Sequence, residues 1–167
     1  HEMDTRDIQR IHGNLGNIYE QDNQLDSAMV HCLKAYEAGR LIEHGTTDYT
    51  AFVMEVIGNI HLKRKEFDNA LEYYRKALPL FIKHNDIKEI ICVNNSIATI
   101  YIQLKKMDSA LFYANRAYDS RKLSTYIRGI QQTSALLAEV YKAMGLSDSV
   151  VKYLEISNTL KDSIYSQ

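Results

Sequence analysis

The chain has 167 residues, 46% apolar and 25% charged, with 20 Lys+Arg against 21 Asp+Glu. That balance excludes a nucleic-acid module in this segment, because phosphate binding needs clustered excess positive charge. No apolar run approaches the roughly 18 residues of a membrane span, so no membrane insertion is expected, and one Pro with seven Gly leaves little room for the turns of an all-β fold. Cys32 and Cys92 stand far apart, without a CxxC or paired-His spacing, which speaks for neither a zinc site nor a disulfide framework. The chain opens at His1 without an initiator methionine and stops at Gln167 straight after an apolar-periodic stretch. The expectation is a soluble piece of a longer protein, its compartment open between cytoplasm and periplasm and its parent free to be membrane-tethered.

Internal repetition organises the rest. Four stretches align, Asn14 to Tyr19, Val56 to His61, Ser96 to Tyr101 and Leu136 to Tyr141. Each holds a small residue (Gly16, Gly58, Ala98, Ala138) at spacings of 42, 40 and 40, with a ring three residues on. Further small or β-branched residues follow in register at Ala28, Ala70, Ala110 and Val150, then at Ala35, Ala77, Ala117 and Ser157. Small residues let two helix backbones approach closely, so each repeat predicts two antiparallel helices joined by a short turn.

In chain order the helices are expected at about 4–20, 25–44, 48–63, 67–84, 87–104, 108–123, 126–144 and 148–165. They pair into repeats 4–44, 48–84, 87–123 and 126–165 of a single array over 1–167. Turns within hairpins fall at 21–24, 63–66, 105–106 and 144–147, and joints between repeats at 44–47, 84–86 and 124–125. Pro79 lies inside the fourth helix, where it either kinks the helix or ends its standard length before an extra turn. On the last helix, positions 150, 154, 157, 160 and 164 form one expected buried stripe. Val151 and Ile156 are left to face a surface covered by self-association or by a further helix.

At these residues the chain resembles the tetratricopeptide repeat family. Asn14-Leu15-Gly16-Asn17-Ile18-Tyr19 and Phe67-Asp68-Asn69-Ala70-Leu71-Glu72-Tyr73-Tyr74-Arg75-Lys76-Ala77-Leu78 match its pattern closely, and the likeness covers about 9–165. The period of 40–42 exceeds the family's usual 34, which looks like the long-helix subclass of polarity adaptors and peptide-sensing bacterial regulators. His61 stands in a Tyr place and Ser157 in an Ala place. The resemblance implies an all-α, right-handed superhelical solenoid of four helix-turn-helix repeats, eight helices in all. It also implies a concave groove lined by the first helices, which takes a protein or extended peptide.

No catalytic, cofactor or metal constellation is visible. The six histidines include no HExxH pair, and His12 and His61 suit packed aromatic places. Cys32 suits a buried hydrophobe, whereas Cys92 falls on a first-helix face without a neighbouring cation to activate it. Gly13 and Gly16 form GxxG inside a helix with no Lys-Ser/Thr after it. Tyr19, Tyr74, Tyr101 and Tyr141 are expected in the core.

What the resemblance leaves is the groove, with Asn14, Asn17, Glu55, Asn59, Lys63, Asn95, Thr99, Gln103 and Glu139 as its candidate residues. Gly13, Cys92 and Ser96 stand where chaperone-binding members place Lys and Arg, so a carboxylate clamp is not expected. An Asn side chain offers one donor and one acceptor group to a peptide unit, and the same Asn also serves as a plain consensus residue. Asn59 would be the centre, its amide exposed and without a strong partner inside the protein. Two functions follow: a protein- or peptide-binding scaffold, or a sensory segment of a bacterial signalling protein whose helix-turn-helix or histidine-kinase effector lies elsewhere.

Overall fold

A computed structural model describes residues 4–42 and 48–165. The joint expected at 44–47, with His1 and His44, lies outside the described residues. The chain divides into two compact units, His1–His84 and Asn85–Gln167, each holding two helical hairpins. In the first unit, α1 (Thr5–Gln21) pairs with α2 (Leu25–Arg40) and α3 (Asp48–Lys63) with α4 (Phe67–His84), while α1 and α2 both pack on α3. In the second, α5 (Ile87–Gln103) pairs with α6 (Met107–Asp119) and α7 (Ile127–Ala143) with α8 (Ser147–Tyr165); α5 and α6 both pack on α7.

Boundaries differ from expectation in two places. α2 stops at Arg40, where the Leu41 N–H donates to Ala38 O at 3.1 Å. α6 stops at Asp119 and tightens into a 3₁₀ turn over Ser120–Leu123. α4 runs on through Pro79 to His84, so the proline does not end it.

Each hairpin is built the same way. Asp26, Asp68, Asp108 and Asp148 sit in the first turn of every second helix, where a carboxylate meets the positive end of the helix dipole. The turn before it is a Schellman closure in all four repeats. Gln24, Glu66, Lys106 and Leu146 donate their N–H to the carbonyls of Tyr19, His61, Tyr101 and Tyr141 at 2.8–3.0 Å. The closure places Asn23, Lys65, Lys105 and Gly145 in the left-handed region, at φ 59°, 60°, 57° and 75°. Lysine there costs about 1 kcal/mol against glycine, so packing rather than turn propensity holds two of the four turns.

Behind each turn, two rings twelve residues apart stack. The pairs are Tyr19–His31, His61–Tyr73, Tyr101–Tyr113 and Tyr141–Tyr153, with centroids 5.3–5.6 Å apart. Below the rings the backbones close on the small residues. Gly16 is buried against Ala28 O and Cys32 of α2, and a Cβ there would stand 3.2 Å from the Cys32 backbone nitrogen. Gly58 is buried under the Tyr74 ring, whose Cε1 a Cβ would meet at 2.6 Å. Cys32 is fully buried, and burial, with Glu20 nearby, pushes its thiol up to about 12, so it packs as a hydrophobe.

The last helix keeps most of its expected stripe, with Val150, Ser157, Leu160 and Ile164 buried or half-buried, and departs from it at Leu154 and Ile156. Tyr153, Ile156 and Ser157 point inward, Ile156 against the cluster of Ala98, Ala114, Leu137 and Ala138, while Leu154 points out. The ring stack decides this: Tyr141 draws Tyr153 inward, and Leu154 turns to solvent with Val151.

A Cβ at Gly16 would meet Cys32 Sγ first and then the Cys32 nitrogen at 3.2 Å, so moving the side chain alone does not relieve the contact. Gly16→Leu and Gly58→Leu should each lower stability by about 1–3 kcal/mol through overpacking. Urea unfolding curves check this, and an unchanged midpoint for Gly16→Leu would contradict the close approach.

Candidate functional site

The first-helix surface of the first unit starts from α1, where Arg10, Asn14 and Asn17 fall on successive turns. Tyr49 of α3 crosses to α1 through the gap left by Gly13, whose Cβ would meet Tyr49 Cε1 at 2.6 Å. Its hydroxyl lies 2.6 Å from Asn14 Oδ1 and 3.0 Å from Arg10 O, and burial raises its pKa. Asn14 is exposed. Asn17 is half-buried, its carbonyl accepting from Gln21 Nε2 at 3.4 Å.

On α3 the expectations need correction. Asn59 is not unpartnered: Tyr74 Oη of α4, fully buried, donates to Asn59 Oδ1 at 2.6 Å. The half-buried Asn59 therefore spends its acceptor inside the hairpin and keeps its NH₂ donors. Glu55 is 7% exposed, because α3 is enclosed continuously from Val53 to Gly58, so it does not stand on the surface to choose a partner's side chains. Lys63 closes the end of α1, pairing with the Glu20 carboxylate at 2.7 Å and donating to Glu20 O. A cation at a helix C-terminus is stabilising, so Lys63 has a structural task before any binding one.

In the second unit Asn95 is 6% exposed and bonded through both its amide nitrogen and its amide oxygen between α5 and α7. Its Nδ2 donates to Gly129 O at 3.2 Å, and Thr133 Oγ1 donates to its Oδ1 at 2.8 Å. Asn95 is a structural clasp and not a groove amide. Thr99 is half-buried, and its hydroxyl donates to Asn95 O at 2.9 Å. Gln103 and Glu139 are exposed. Sequence reasoning missed the counterpart clasp of the first unit, where buried Gln9 Nε2 donates to Thr50 Oγ1 at 2.9 Å.

Two tetratricopeptide repeat profiles match the chain, over residues 7–83 and 93–122. The crystal structure of BtubC (BKLC) from P. vanneervenii is similar at TM-score 0.85 and 20% identity, over 99% of this chain and 68% of that one. A comparison with curated proteins returns no match. The chain belongs to the tetratricopeptide repeat family, and its fold is the all-α, TPR-like solenoid type. Repeats of this family are generally protein-interaction scaffolds and typically non-catalytic. Among the described residues, no helix is long and apolar enough to cross a membrane.

The first hairpin also holds a histidine pair. His12 Nδ1 and His31 Nδ1 lie 2.8 Å apart, a distance that requires one ring to donate and the other to accept. Burial, then the charges of His31 and Lys34, lower the His12 pKa from its ordinary 6.5. The unfolded chain then binds that proton more readily than the folded one. The stability is complete above about pH 6.5 and is lost as pH falls through the depressed value. The carboxyls of Glu66 and Glu72, held low by hydrogen bonds from His61 and Lys76, titrate below this window. The melting temperature should fall between about pH 7 and 5, and His12→Leu should flatten that fall. A wild-type melting temperature constant across the window would contradict the pairing.

Proposed function

We propose that the chain is a non-catalytic scaffold whose first-helix amides hold an extended peptide segment of a partner protein. The observation that carries this reading is Asn59. Tyr74 fixes its carbonyl, which holds the half-buried amide in one orientation and leaves the NH₂ to donate to a peptide carbonyl. Orientation settled before binding reduces the entropy lost on association. Asn17 and exposed Asn14 of α1 supply further amide groups in the same unit, and exposed Gln103 and Glu139 extend the polar first-helix surface of the other. Glu139 and Lys63 would act on partner charges, contributing more to specificity than to affinity. The signalling-segment reading rests on an effector elsewhere in a longer protein, and self-association rests on the outward side chains of α8.

Asn59→Asp separates binding from folding, because a carboxylate still accepts from Tyr74 but has no N–H to donate. Peptides selected from a displayed random library on the wild-type chain should bind Asn59→Asp about tenfold more weakly, at a melting temperature within a few degrees of wild type. Asn59→Ala should lose both affinity and stability. Undiminished peptide affinity in Asn59→Asp would remove Asn59 from the site.

A further inference from the structure

On the first-helix side of the first unit, three side-chain amides have their oxygens engaged from within. Asn59 Oδ1 accepts from Tyr74 Oη at 2.6 Å, and Asn17 Oδ1 accepts from Gln21 Nε2 at 3.4 Å. Asn14 Oδ1, at 2.6 Å, shares the single proton of the Tyr49 hydroxyl with Arg10 O at 3.0 Å. The NH₂ groups of all three have no partner among the described residues. Gln21 Oε1, at the turn end of α1, is the acceptor left over. Two rings stand beside these donors. Tyr49 and Phe52, one turn apart on α3, are half-buried with centroids 5.4 Å apart. Phe52 and Asn59 lie two turns apart, so they share one side of α3 with about 10 Å of rise between them.

A peptide laid on such a surface brings one N–H for nearly every carbonyl. Its carbonyls meet the free amide donors, but an N–H turned toward NH₂ groups loses its water and gains no acceptor. Proline removes that cost, because it has no N–H. A polyproline II helix makes no internal hydrogen bonds, keeps its carbonyls open and presents the same side every three residues, about 9 Å. That repeat matches the step from Phe52 to Asn59: one prolyl ring packs on Phe52 while a carbonyl one turn further on receives Asn59 Nδ2. Resting on the scaffold reading proposed above, we infer that the partner segment is proline-rich and bound as a polyproline II helix. Its pyrrolidine rings lie on Tyr49 and Phe52, and its carbonyls lie on the Asn amides.

Fluorescence anisotropy with a labelled oligoproline peptide, against an oligoalanine peptide of the same length and charged ends, is the test. Oligoproline should bind the 167-residue chain roughly tenfold more tightly than oligoalanine. Phe52→Leu, which keeps an apolar side chain against the core and removes the ring, should weaken oligoproline roughly threefold to tenfold. Circular dichroism shows whether that variant keeps its helices. If it does not, nuclear Overhauser contacts between proline ring protons and the wild-type Phe52 ring take its place, and their absence overturns the assignment. Undiminished oligoproline affinity in a folded Phe52→Leu overturns it too. Oligoproline bound no more tightly than oligoalanine, while library-selected peptides still depend on Asn59, overturns the proline assignment and leaves the scaffold reading standing. If neither oligoproline nor any selected peptide binds, both fall.

Discussion

The close approach of two helix backbones at a small residue is the contact on which the rest depends. Where Gly16 meets Ala28 and Cys32, the backbones come near enough for the rings three residues after Gly16 and three after Ala28 to stack, Tyr19 on His31. The same stack forms at His61–Tyr73, Tyr101–Tyr113 and Tyr141–Tyr153. The carbonyl of each first ring residue then receives the N–H that closes the turn. One geometry thus links a small side chain, a ring pair and a left-handed turn residue. The stack also explains the departures from local preference. Lys65 and Lys105 occupy left-handed positions that glycine would fill at lower cost, and on α8 Tyr153 takes the inward place while the adjacent Leu154 turns out.

Polar side chains then decide what each face is free to do. Asn59 of α3 and Asn95 of α5 were both expected on a first-helix face, yet Asn95 is consumed by Gly129 and Thr133 whereas Asn59 gives up only its acceptor. Buried amides must be satisfied, and the partner that reaches them first sets their role. Lys63 obeys the same rule at the end of α1, where the Glu20 carbonyl and the Glu20 carboxylate claim its ammonium.

The fold was legible because its signals are local and repeated. Small residues, rings and turns recur at 42, 40 and 40, and no single ambiguous position could shift the register. The candidate site was less legible. Periodicity assigns Asn59, Asn95 and Glu55 to a helix face, but their partners come from other helices, and Tyr74 and Thr133 carry no mark in sequence that aims them at an amide. His61 was placed with the rings by register alone. The bond between His12 and His31 was not, because it depends on how two helices are rotated about their axes. The mobility of meaning in Asn, consensus residue or ligand contact, is resolved only by that rotation.

The central claim is that the ring stack behind each turn couples the two helices of its hairpin. A double-mutant cycle on Tyr101 and Tyr113, each replaced by Leu and unfolded in urea, tests it most directly. Their centroids lie 5.6 Å apart, so the account predicts a coupling of about 0.5–1.5 kcal/mol beyond the lost burial. Strictly additive single-variant effects, with no coupling between the two rings, would contradict it.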